Sequence, residues 1–136
     1  MLSLLAGNAR LPVATMAKKL GVARSTVQAR LDRLETSGVI AGYTLRLGET
    51  TRDARVIATV LLQIEPRATP TVLGRLKTLP EVTQAHTTSG RSDLTLRLSA
   101  QTTTDLDRVL DAIGGMPGVQ DSETLIHLTT KIDRGV

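Results

Sequence analysis

Arg24, Ser25, Thr26, Gln28, Ala29, Arg30 and Arg33 crowd into one short stretch of the chain. Their chemistry is that of reading a duplex nucleic acid, not of making or breaking bonds. A glutamine carboxamide suits a bidentate contact with adenine, and an arginine suits guanine or phosphate. Ser25, Thr26, Gln28 and Ala29 fall at the start of a helix, from which a recognition helix approaches base edges. Arg24, Arg30 and Arg33, with Lys18 and Lys19 just upstream, suit phosphates, which position a protein without reading sequence. The charge distribution agrees. Residues 1–53 hold eight Lys/Arg against four Asp/Glu, whereas residues 54–136 hold nine of each. The formal charge of +4 therefore belongs to the amino-terminal part, the footprint expected of phosphate binding.

The elements that must present these side chains can be read from spacing. Val13, Met16, Ala17 and Leu20 share one helix face. Gly21 follows where a helix needs a residue of positive φ. Ser25 is expected to cap a second helix, with Gln28 reaching back to complete a capping box. Val27, Leu31 and Leu34 continue the apolar face, and Gly38 ends it. A helix, a short glycine turn and a second helix with polar donors outward is the helix-turn-helix pattern. Leu2, Leu4 and Leu5 read as the end of an earlier helix packed on these two. After Gly38, Val39-Ile40 and the alternating Tyr43 to Leu47 predict a short strand, hence a small wing, with Tyr43 packed at its base.

Residues 48–55 read as a linker. Val56 to Ile64 reads as a strand stopped before Pro66, and Thr71 to Leu79 as an amphipathic helix. A strand runs to about Ser89, and a half-buried one alternates through Leu94, Leu96 and Leu98. Thr103 to Ile113 is a second amphipathic helix, and a last strand passes through Leu125, Ile126 and Leu128. The two helix-to-strand junctions match, Leu79-Pro80-Glu81-Val82 and Met116-Pro117-Gly118-Val119. The order is βαββαβ, the ferredoxin-like unit, whose helices cover one sheet face. The other face calls for a partner, most simply a second copy, and a homodimer would bring two helix-turn-helix units to one duplex. The expected class is α+β, with a winged helix-turn-helix over 1–47, a linker over 48–55 and the ferredoxin-like domain over 56–136.

Composition sets bounds. The chain has no cysteine, which excludes disulfides, thiolate nucleophiles and Cys-ligated metal, and fits a cytoplasmic setting. Phe and Trp are absent and there is one tyrosine, so the core must be aliphatic and stacking on single strands has little to use. No apolar run approaches spanning length, and no membrane partner is expected. No metal-ligand cluster, phosphate loop or nucleophile-base spacing is visible, so no catalytic residue, metal or cofactor is assigned.

Several stretches together resemble the Lrp/AsnC (leucine-responsive/asparagine-responsive) family of transcription regulators. They are Leu20 to Val27, Arg30 to Thr44, Thr88-Ser89-Gly90 with Asp93, and Met116 to Val119. The resemblance covers nearly the whole chain. It implies a winged helix-turn-helix bound to double-stranded DNA and a ferredoxin-like domain that senses a small effector, usually an amino acid. It also implies dimers that often assemble into octamers. The family's effector loop matches Ser89-Gly90-Arg91-Ser92-Asp93, and its facing segments match Asp111, Ser122 and Thr124. Gly90 would allow close backbone approach, and Asp93 would receive an α-ammonium group. The chain departs from the family at Arg91, where many members are acidic, at Leu94, often aromatic, and in its short first helix. A rival reading comes from the sirohaem decarboxylases, which resemble these regulators but act on a tetrapyrrole. It would lean on His86, His127 and arginines of the second domain.

Overall fold

The computed structural model describes residues 1–135. The chain divides into two compact units: residues 1–46 with the last residues from Arg134, and residues 47–133.

The first unit holds α1 (Leu2–Gly7), α2 (Val13–Leu20) and α3 (Arg24–Thr36). Leu5, Met16, Ala17 and Val27 are buried at its centre, with Leu20, Leu31 and Ile40 packed around them. Gly21 is left-handed, φ 68°, and its N–H closes α2 onto the Ala17 carbonyl. The sharp reversal into α3 needs that backbone conformation, which a Cβ would strain. The expected cap on α3 does not form. The helix starts at Arg24 with Ala23 as its cap, and the Ala23 carbonyl already accepts from Thr26 and Val27. Ser25 is thus inside the first turn, and Gln28 turns forward along the helix instead of back.

The wing strand expected after Gly38 is also absent, since residues 41–48 pair with no strand. A lone alternating run has no ladder partner in a unit otherwise made of helices, and even a two-stranded hairpin is marginal by itself. Tyr43 is 55 % exposed and Leu45 84 % exposed, so neither forms the base of a wing.

The second unit begins with α4 (Glu49–Asp53), a short helix inside the stretch read as a linker. It continues with β1 (Val56–Ile64), a 3-10 turn at Pro66–Ala68, α5 (Thr69–Leu76), β2 (Val82–Thr87), β3 (Leu94–Ala100), α6 (Thr103–Gly114) and β4 (Val119–Ile126). This is the βαββαβ order, and the sheet runs β2-β3-β1-β4 with every pair antiparallel. Several ends differ from expectation. α5 lies earlier than Thr71 to Leu79, β2 stops at Thr87, and β4 stops before the fully solvated Leu128.

Alternation on β1 and β3 builds the core. Ala58, Val60, Leu62 and Ile64 face Leu94, Leu96, Leu98 and Ala100, and all are buried beneath Val72 and Leu76 of α5 and Leu106, Val109 and Ile113 of α6. Thr102 caps α6 by accepting from the Asp105 amide at 3.1 Å. Gly118, φ 95°, leads into β4 so close to Ala68 that a Cβ would lie 2.1 Å from the alanine methyl. The sheet face turned away from α5 and α6 carries Ile57, Leu61 and Leu125 among Thr59, Gln63 and Arg97.

Candidate nucleic-acid interface and effector site

On α3 the core side is set by Val27, with Leu31 and Leu34 one and two turns on. Ser25, Ala29 and Thr36 stand opposite, and Gln28, Asp32 and Arg33 flank them. Arg24, Ser25, Gln28, Ala29, Arg30 and Arg33 are exposed, while Thr26 is half-buried. Lys18 and Lys19 are exposed in the last turn of α2, where cations also complement the helix dipole. Arg30 and Arg33 border a cleft of about 440 Å³ with Met1, Leu2, Ser3 and Leu34. Their placement on the α1 side of the helix suits a backbone contact better than a base contact.

Two side-chain bonds on this surface were not legible beforehand. Gln28 Nε2 donates to Asp32 Oδ1 at 2.8 Å, one turn along. The bond uses one amide hydrogen and leaves Oε1 and the second hydrogen, the pair that adenine requires. Tyr43 Oη donates to Glu35 Oε1 at 2.7 Å, tying the segment after the helix back to its last turn. That bond, then partial desolvation, then the Glu35 charge hold the phenol above its ordinary pKa.

In the second unit, the loop from Thr88 to Asp93 is held tightly. Gly90 adopts φ 101°. Thr88 Oγ1 donates to the Ser92 carbonyl at 2.9 Å, and Gln63 Nε2 donates to the Arg91 carbonyl at 3.0 Å. The β1–β3 ladder ends at Leu62 opposite Leu94. Just beyond it, the Ile64 amide donates to Asp93 Oδ2 at 2.7 Å, while the Asp93 amide donates to the Leu62 carbonyl. One oxygen of the Asp93 carboxylate is therefore engaged in closing the sheet.

The sheet separates the predicted effector residues of β4 from two carboxylates, Asp121 and Glu123, that the sequence reading did not single out. Ser122 and Thr124 lie opposite Leu62 and Val60, on the side of the sheet that the helices cover, and Asp111 is exposed on α6 in that helical layer. Asp121 and Glu123 lie opposite Gln63 and Leu61 on the other side. They share with Leu61, Gln63, Arg91 and Ser92 a hollow of about 190 Å³. A register shift between Gln63 and Ile64 sets this parity. Strict alternation from Val119 would have turned Asp121 and Glu123 toward the helices.

The histidines invoked for a catalytic alternative are far apart in the sheet order. His86 is on the edge strand β2, and His127 follows the other edge strand, its Nε2 2.7 Å from Thr59 Oγ1. Among the described residues, no helix is long and apolar enough to cross a membrane.

Comparison with known proteins agrees with both units. The AsnC-type helix-turn-helix domain matches residues 1–35, and the Lrp/AsnC ligand binding domain matches residues 57–136. The chain belongs to the Lrp/AsnC family of transcription regulators. It is 29 % identical to the regulatory protein AsnC of Escherichia coli, over 100 % of this chain and 91 % of AsnC. It is 27 % identical to the HTH-type transcriptional regulator FL11 of Pyrococcus horikoshii, over 96 % of this chain and 86 % of FL11. The solved structure of E. coli AsnC superposes with a TM-score of 0.88 at 28 % identity, over 99 % of this chain and 92 % of that one. The feast or famine regulatory protein of Mycobacterium tuberculosis, solved with L-methionine, gives 0.84 at 25 % identity, over 97 % and 90 %.

Proposed function

We propose that this Lrp/AsnC protein binds specific DNA sites in the cytoplasm through α3 and changes that binding when an amino acid occupies its second unit. The observation that carries the reading is the outward face of α3, where Ser25, Gln28, Ala29, Arg30 and Arg33 stand exposed on a helix anchored by buried Val27. Arg24, Lys18 and Lys19 supply phosphate contacts around it, and Ser25, Thr26, Gln28 and Ala29 lie nearest the bases. The division between the two units, after residue 46, separates reading from sensing. A homodimer formed over the open sheet face presents two recognition helices to successive major grooves, and further assembly to an octamer presents more. The effector loop Ser89 to Asp93 is the sensing element, and the methionine complex of the mycobacterial relative supports an amino acid as its ligand. Asp111, Ser122 and Thr124, on the helical side, would act from a neighbouring subunit's viewpoint rather than beside this chain's own loop.

The test is a gel shift on the protein's own promoter at two salt concentrations, with and without pooled amino acids. A salt-sensitive shift altered by the pool is expected, because released counterions make phosphate-driven binding fall steeply with salt. Replacing Gln28 and Arg30 by alanine is expected to weaken operator binding at least about tenfold, the scale of one lost bidentate contact. Unchanged affinity in that double variant overturns the assignment of α3.

A further inference from the structure

The sheet has two edge strands, β2 and β4, and their residues differ in kind. β4 carries Asp121 and Glu123, and charges on an edge keep a second strand away. β2 has no charged residue and no proline, and residues 83–87 are exposed. The direction of its backbone groups follows from the ladder. Thr88 continues the β2–β3 register opposite Asp93 and donates to the Asp93 carbonyl at 3.2 Å. The hydrogen-bonded pairs are therefore Thr88 with Asp93, His86 with Thr95 and Gln84 with Arg97. The N–H and C=O groups of Ala85 and Thr87, between them, point away from β3 and out of the sheet. Ala85 and Thr87 stand opposite buried Leu96 and Leu94, so their side chains lie on the helix side. Next to them, Leu73 and Leu76 of α5 with Val82 and Ala85 wall a groove of about 270 Å³.

Resting on the dimer over the sheet face and going beyond it, we propose that β2 pairs antiparallel with β2 of a further copy and so joins one face dimer to the next. A two-fold axis through His86 sets Ala85 against Thr87 of that copy. This register gives every outward backbone group of both residues a partner. The strand is uncharged, so it meets its own copy without the repulsion that Asp121 and Glu123 would bring to a β4 pair. The facing side chains, Ala85 and Thr87, are small, and the strands close together over the groove beside them. One such contact is small and does not hold two single chains. A face dimer carries two β2 edges, and joining both closes a ring in which each contact supports the next.

The experiment is light scattering of the full chain, joined to oxidative cross-linking in a chain that has no cysteine of its own. The parent is expected at more than two chains. Thr87→Pro removes an outward amide and no bond of the β2–β3 ladder, and an edge strand tolerates proline. It is expected to stop assembly at two chains with unchanged circular dichroism. Ala85→Glu puts a charge at the joined edge without touching the backbone and is expected to do the same. His86→Cys is expected to form an interchain disulfide under mild oxidation. At the axis the two residues are a non-hydrogen-bonded pair about 4.5 Å apart between Cα atoms, within disulfide range. Gln84→Cys, on the same side of the sheet, is expected to stay unlinked, since its copy lies roughly 13 Å away along the strands. A parent of two chains overturns the edge contact and leaves the face dimer standing. So does a larger parent whose mass survives both Thr87→Pro and Ala85→Glu. Equal cross-linking of the two cysteines assigns their proximity to the sheet face and overturns the edge register. A parent of one chain overturns both contacts.

Discussion

Asp32 shows how one residue can act on a neighbour's chemistry. It sits on the exposed flank of α3 that we propose reads DNA and accepts from Gln28, so the carboxamide is turned with its nitrogen toward the helix end. A free glutamine samples both orientations, and only one offers adenine its donor and acceptor in register. The carboxylate also repels phosphate, which lowers affinity for any duplex regardless of sequence. Asp32→Ala is therefore expected to tighten binding to a scrambled duplex and to narrow the operator-to-scrambled ratio by about fivefold or more. That is part of the roughly 1–3 kcal/mol that a bidentate base contact provides. Fluorescence anisotropy on the two duplexes reads both effects, and an unchanged ratio removes Asp32 from recognition. Asp93 makes a similar point for the second unit. Its type and place suggested an ammonium receptor, yet one of its oxygens closes the end of β1 by accepting the Ile64 amide.

At the scale of elements, periodic apolar runs were the readable part. Val13 to Leu20 and Val27 to Leu34 appeared as helices because one face must be buried, and Leu94, Leu96 and Leu98 appeared as a strand for the same reason. What could not be read was local geometry decided by pairing. The run from Tyr43 to Leu47 alternates like a strand but has no neighbour to pair with. The register shift at Gln63/Ile64 fixes which residues of β4 share a face with Leu61 and Gln63, and no hydrophobic pattern on Gln120 to Glu123 announces it. Side-chain ties between elements were equally silent. Glu81, before β2, accepts from Arg108 of α6 at 2.8 Å, with its side chain only 17 % exposed. A backbone hydrogen bond at Glu81 itself, and then Arg108, hold this carboxyl below the ordinary glutamate pKa. A carboxyl with a depressed folded pKa stabilises the fold above its unfolded value of about 4.3 and loses that contribution as pH falls through the folded one. Glu81→Gln is thus expected to be less stable than the parent at neutral pH, with the gap closing in acid. Urea unfolding at both pH values checks it, and a gap that persists in acid would assign the loss to packing.

For the molecule as a whole, the sheet is the natural place for a second copy. Its helix side is filled, and its open side sets Ile57, Leu61 and Leu125 among polar neighbours. Leu125 is 48 % exposed on this face, and a lysine there would put a charge into any sheet-to-sheet contact. Light scattering of Leu125→Lys is expected to give the mass of one chain where the parent gives a multiple, and an unchanged mass places the interface elsewhere. Loss of assembly should also lower operator affinity, since two half-sites would no longer be held together. The bond between Tyr43 and Glu35 has a practical consequence of another kind. Tyr43 is the chain's one tyrosine, and there is no tryptophan to mask it, so ultraviolet emission from the protein arises at the foot of the recognition helix. Emission would then follow the DNA-reading unit, while far-ultraviolet circular dichroism follows mainly the larger unit that contains the sheet. Melting the protein under both signals would time the two units separately, without any label.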